Sequence, residues 1–259
     1  MRRFIAILSL LILPLLTSAQ EDQVMQKLDS LADNYTGLIA LEPIGMKQQE
    51  CDFLLSSLSD SAMVNRLAVR LYNHYSKSRL MGDEAVAVYL WDKWFESGPA
   101  AFESEEQYLD AKVFARFNRQ SLLGCPAPSL TLRRPCGGKT VIPRPGRSAI
   151  LFFYDTDCAK CKLETQVLPT VLKDWKTRVD FYAVYVGTDK AKWKKWRKVF
   201  RIGNRNLKVI HLWDPGMDSD FVQCYGVLAT PKLFTIKNDG HITGRRLEVE
   251  NLPQLESSL

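Results

Sequence analysis

Two cysteines separated by Ala159 and Lys160 are the residues of this chain best suited to chemistry. They follow an apolar run, Ala149 to Tyr154, and open a segment with helical character that extends to about Trp175. A cysteine at the start of a helix faces unpaired N–H groups and the positive end of the helix dipole. Both favour the thiolate, which is the nucleophilic form. The spacing puts the sulfur of Cys161 within disulfide reach of Cys158 and one turn deeper, and Lys160 adds a positive charge that favours the thiolate further. The chemistry predicted is dithiol–disulfide exchange. A zinc knuckle needs a second ligand pair, and no other C-x-x-C exists. A c-type haem site needs His after the second cysteine, where Lys162 stands. A purely structural disulfide is the remaining alternative, and the strand-then-helix setting argues against it.

Glu164 follows Cys161 by three residues and so shares its side of the helix. A carboxyl there, partly desolvated, can exchange a proton with the Cys161 sulfur; the plainer reading is a solvated helix acid. Asp157, just before Cys158, puts negative charge beside the nucleophile and opposes Lys160.

The elements that must position these residues form a strand–helix alternation. Buried strands are expected at Ala149–Tyr154 and Val179–Val186, and further strands at 207–212, 233–236 and 241–245. Helices are expected at 158–175, 190–200, 217–225 and 252–259. Asn238-Asp239-Gly240 marks a closing hairpin. Prolines and glycines crowd residues 124–146, with two short strands at 129–133 and 139–142. Residues 20 to about 121 carry helical periodicity throughout: Val24, Leu28, Leu31 and Tyr35 share one face, as do Met63, Leu67, Leu71 and Tyr75, and Val86, Leu90 and Trp94. Ser104 with Gln107 has the form of a capping box.

Beyond residue 121 the chain resembles the thioredoxin superfamily, and within it the exported TlpA/ResA-like branch. The resemblance rests on Gly124-Cys125-Pro126-Ala127-Pro128 with Leu130 and Leu132, on Phe153 to Asp157 leading into the cysteines, on Cys161-Lys162-Leu163-Glu164, and on Thr230-Pro231 followed by Leu233-Phe234. It implies that Cys158 attacks, that Cys161 resolves the mixed disulfide and that Glu164 carries a proton. It also implies a cis Pro231 beside the two sulfurs, with the Thr230 backbone offered to an extended substrate segment. A trans proline at the start of a strand is the plain alternative. The sequence departs from the family at Phe152, where thioredoxin has a buried Asp, and at Asp157, where many relatives have Trp.

The predicted fold class is α/β: a thioredoxin-like domain over 122–259, with a central mixed sheet flanked by helices, preceded by a small all-helical domain over 20–121. Residues 1–19 read as a signal peptide, with Arg2 and Arg3 before the apolar run from Phe4 to Leu16 and small residues at Thr17-Ser18-Ala19. That run is too short to span a bilayer, and the first cysteine, Cys51, is too far along for a lipid anchor. The expectation is an exported, periplasmic protein with no stable membrane insertion after cleavage.

The 259 residues carry a net charge of +6, which becomes +4 without Arg2 and Arg3. That excess is mild. Trp193, Trp196 and Phe200 share one face of a basic helix, which suits packing on a sheet better than nucleic-acid binding. No metal and no organic cofactor is implied. Cys224 reads as a buried thiol, and Cys125 and Cys136 as a candidate bridge flanking a hairpin. The function expected is reduction of protein disulfides, with a membrane electron donor recycling the dithiol. A disulfide oxidase or isomerase, or a non-catalytic thioredoxin-like binding module, are the alternatives.

Overall fold

The structure, a computed structural model, describes residues 18–259; the expected signal peptide therefore lies almost wholly outside the described residues. The chain divides into two compact units, meeting between Ala115 and Arg116.

The first unit is helical, as the periodicity predicts: α1 (Ser18–Leu38), α2 (Ile44–Ser56), α3 (Ser61–Lys77) and α4 (Asp83–Leu90), which runs on into a wider turn at Trp91–Glu96. Asp60 caps α3 by accepting from Met63 N at 2.9 Å. The helix buries Val64, Leu67, Ala68, Leu71, Tyr72 and Tyr75 along one stripe. Lys47 is buried against Asp83 at 2.6 Å. Helix α5 (Glu105–Asn118) begins where Ser104 Oγ accepts from Gln107 N at 3.2 Å, and its last turn passes into the second unit. No helix among the described residues is long and apolar enough to cross a membrane.

The second unit is built on a seven-stranded mixed sheet in the order β2-β1-β5-β4-β3-β6-β7. The strands are β1 (Leu130–Arg133), β2 (Lys139–Ile142), β3 (Ser148–Tyr154), β4 (Val179–Tyr185), β5 (Leu207–Trp213), β6 (Lys232–Ile236) and β7 (Ile242–Arg245). β3, β4 and β5 are parallel; β6 and β7 continue the sheet antiparallel. β3 and β4 are buried at every residue, as continuous apolar runs between two covered faces should be. Helices α6 (Ala159–Val171), α7 (Lys190–Val199) and the short α8 (Phe221–Tyr225) connect them, and a 3₁₀ segment, Val249–Ser258, closes the chain.

One face of the sheet packs Ile150, Phe152, Tyr154, Phe181 and Tyr185 against Cys161, Leu168 and Trp193 of α6 and α7. The other packs Leu151, Phe153 and Phe234 with Phe221 and Tyr225 of α8. Trp196 stacks on Tyr154, with ring centroids 3.8 Å apart. The basic helix therefore spends its aromatic stripe on the core.

Several boundaries differ from expectation for physical reasons. α6 stops at Val171, not near Trp175, because Asn204 Nδ2 captures the carbonyls of Leu172, Lys173 and Trp175 at 3.0, 2.9 and 2.8 Å. The 217–225 helix shrinks to Phe221–Tyr225 because the Asp214 carboxylate takes the N–H groups of Asp218 and Ser219, while Met217 and Asp220 turn left-handed. The Cys125–Cys136 bridge is absent, and all six cysteines are free thiols. Cys125 accepts from Ile242 N beside β7, whereas Cys136 lies in the β1–β2 turn at the other end of the strand order. Cys224 is only partly buried.

Candidate active site

Cys158 and Cys161 sit where β3 hands over to α6. Cys158 is the N-cap residue of α6, in extended conformation, and its sulfur accepts from Cys161 N at 3.1 Å. Its own thiol donates to the Thr230 carbonyl at 3.2 Å. Burial opposes ionisation of Cys158. Hydrogen bonds from the Cys161 thiol and N–H, from Thr230 and from the Lys160 N–H outweigh it and hold the thiol below its ordinary pKa. Cys161 is 1% exposed. Burial first, and then the neighbouring Cys158 sulfur, push its thiol up to about 12. One thiol is thus partly exposed and eased toward ionisation, and the other is held protonated and covered.

Glu164 is 4% exposed, and its Oε2 atom has no hydrogen-bond partner. Burial pushes its carboxyl up to about 7; Lys160 pulls the other way, while Glu248 and Glu250 add to the rise. Among the described residues, the sequence-predicted acid is accordingly a desolvated carboxyl on the helix that carries both cysteines. Contrary to the expectation from the sequence, the Lys160 ammonium does not serve Cys158, to which only the Lys160 backbone contributes. It lies 2.7 Å from Glu248 Oε2 and 3.8 Å from Glu164 Oε1, so its charge is spent on two carboxylates. Asp157 likewise does not bear on the nucleophile unopposed, because both of its carboxylate oxygens accept from Lys192 at 2.8 Å. Glu248 has no signal in the local pattern of α6. Its only sequence mark is the capping box it forms with Asn251 at the start of the closing 3₁₀ segment.

The loop that brings Thr230 to Cys158 is set by Gly226. This residue ends α8 at φ +58°, and a Cβ there would meet the Phe117 carbonyl oxygen at 2.3 Å. Lys232 Nζ donates to the Gly226 carbonyl at 2.5 Å and ties the far side of the loop. The Thr230–Pro231 peptide is cis. Phe152, in the place of the family's buried Asp, is fully buried and stacks on Tyr154. Among the described residues no group of His, Cys, Asp or Glu is placed to hold a metal.

Comparison with known proteins agrees with this architecture. Residues 139–248 match the thioredoxin-like domain family. A thioredoxin-like protein from Bacteroides caccae shares 12% identity over 90% of this chain and 84% of its own, with a TM-score of 0.67. A domain of a possible thiol-disulfide isomerase from Cytophaga hutchinsonii shares 26% identity over 53% of this chain and 92% of its own, with a TM-score of 0.46. The thioredoxin domain of a thiol-disulfide oxidoreductase from Bacteroides vulgatus shares 18% identity over 51% of this chain and 95% of its own, with a TM-score of 0.43. No curated protein sequence matches the chain. The sheet order, the placement of the two cysteines and the matched family model lead to one conclusion: the second unit is a thioredoxin-like domain.

Proposed function

We propose that this protein is a thiol–disulfide oxidoreductase of the TlpA/ResA-like kind that reduces protein disulfides in an exported, periplasmic setting. The observation that carries the reading is the asymmetry of the two sulfurs: Cys158 accepts from the Cys161 N–H at 3.1 Å and is held below its ordinary pKa, while Cys161 is covered. The Cys158 thiolate attacks one sulfur of a substrate disulfide. That S–S bond breaks, a substrate thiolate leaves, and a mixed disulfide forms at Cys158. Cys161 gives its proton to the Glu164 carboxylate and attacks the Cys158 sulfur. The second substrate thiolate leaves, and the domain holds a Cys158–Cys161 disulfide. A membrane electron donor returns it to the dithiol. Thr230 and Pro231 lie beside the nucleophile as the surface for an extended substrate segment, and the cycle draws on no metal or organic cofactor.

The test is insulin reduction by dithiothreitol. The full-length chain should accelerate it, and Cys158→Ser should abolish the acceleration. Wild-type rates in the variant would overturn the mechanism. The reduction potential of the pair, measured against glutathione, decides the direction. A reductase should poise well below the glutathione couple, whereas an oxidase or isomerase should lie above it.

A further inference from the structure

β5 is paired along its whole length on one side only. β4 matches it residue for residue from Leu207 to Trp213, but β1 touches it at the single pair Arg133–Trp213. Beyond that pair β1 carries on past the end of β5, and the β1–β2 turn folds back without joining the ladder. Among the described residues no other strand pairs with 208–212, so every second residue between Lys208 and Leu212 turns its N–H and C=O to an open sheet edge. Such an edge is a template for another strand, and proteins that keep one exposed must either blunt it or use it.

A cleft of about 370 Å³ runs beside this edge. Its walls include Arg134 and Cys136 from the turn, Arg144, Arg197 of α7, and Lys208 and His211 of β5 itself. None of the lining side chains is acidic. Arg144 is neutralised by Asp180 at 2.5 Å. Arg134 donates to Thr140 Oγ1, and Arg197 lies 4.7 Å over the Trp193 ring. No carboxylate pairs with Arg134, Arg197 or Lys208 among the described residues. The Nδ1 atom of His211, enclosed beside the cleft, has no hydrogen-bond partner.

From the open edge, the adjoining cleft and the unneutralised cations together, we infer that this face of the second unit is a docking site for an extended acidic peptide segment of a partner protein. The segment adds as a strand to β5. Its backbone satisfies the free N–H and C=O groups, and its carboxylates meet Arg134, Arg197 and Lys208. The same cations set two copies of this chain against each other along the edge, so charge selects an acidic partner over self-pairing. The site is separate from Cys158 and does not depend on the redox reading.

The experiment uses the full-length chain and a fluorescein-labelled decapeptide of alternating Glu and Val. Three competitors accompany it: the same peptide with Lys for Glu, the same peptide with a central Pro, and inorganic tripolyphosphate. Binding is read by anisotropy, and the backbone by hydrogen exchange. The acidic peptide should bind and slow exchange at 208–212. The Lys and Pro peptides should not compete, and R134E/K208E should weaken binding at least about tenfold. No binding of the acidic peptide overturns the inference. Binding without protection at 208–212, or fully displaced by tripolyphosphate at equal charge, also overturns it and leaves only a diffuse anion patch. Protection at 208–212 that rises with protein concentration in the absence of peptide assigns the edge to a second copy instead.

Discussion

At the residue scale, Glu164 is the group whose chemistry is most exposed to test. Its carboxyl titrates at about 7 in the folded chain and near 4.5 when released. Between those values the folded chain holds a proton that the unfolded chain has lost, so this residue's contribution to stability falls as pH rises through that window. Glu164→Gln removes the loss. Its stability relative to wild type should climb from acid to neutral pH, by up to about 3 kcal/mol, in denaturant melts compared at the two pH values. The catalytic effect runs the other way. In the wild type, resolution of a mixed disulfide should slow as pH drops below 7, because the acceptor is then already protonated. In the Gln variant it should be slower by ~10²–10⁴-fold near neutrality, with mixed disulfide at Cys158 accumulating in trapping experiments. Unchanged resolution rates from about pH 6 to 8 would return Glu164 to the role of a structural carboxyl. The two cysteines and Glu164 stood out by local spacing, and Thr230-Pro231 by resemblance alone; the fold brings the Thr230 carbonyl to Cys158 at 3.2 Å. Glu248 was not: its contact with Lys160 joins residues 88 apart, and no periodicity links the two.

At the scale of elements, the closing 3₁₀ segment is the misplaced part that matters most to the site. It starts at Val249, before the expected Leu252, because Glu248 and Asn251 cap it reciprocally. That early start is what delivers the Glu248 carboxylate to Lys160. Since Glu248 adds to the rise of Glu164, Glu248→Gln should lower the pH midpoint of the resolution step, while the protein stays folded by circular dichroism. A shift to higher pH would contradict the assignment. α7 offers an independent check on packing. Asp189 accepts from Ala191 N and Lys192 N at 2.8 and 3.0 Å, so Asp189→Ala should cost ~1 kcal/mol of stability in a thermal melt, without effect on thiol exchange. The strands β3 and β4 were legible because continuous apolar runs admit few other readings. The ends of α6 and α8 were not, because each is set by one distant or looping side chain, Asn204 or Asp214, that outcompetes the helix for its backbone partners.

For the whole molecule, the break in composition near Gly124 is real as a change of style, but the physical division lies earlier, at Ala115–Arg116. The reason is visible in three contacts. Arg116 Nε donates to Gln223 Oε1 at 2.8 Å, the Phe117 carbonyl lies against Gly226, and the buried Arg245 donates to Asn118 Oδ1 at 2.6 Å. A fragment of residues 116–259 should therefore fold cooperatively and exchange thiols, and one beginning at residue 122 should melt several degrees lower, the loss of a buried hydrogen bond to a charged group being worth ~1.5–3 kcal/mol. Equal melting temperatures would place the boundary at the composition break after all. The second unit also carries its own clock. Cys161 is sealed at 1% exposure, while Cys158, a turn away, is partly exposed. Alkylation of the reduced protein, followed peptide by peptide, should tag Cys158 at once. It should reach Cys161 only as often as the start of α6 breathes away from the sheet. The rate at Cys161, divided by that of a cysteine in an unstructured peptide, then reads the free energy of that opening, without denaturant and without any substrate.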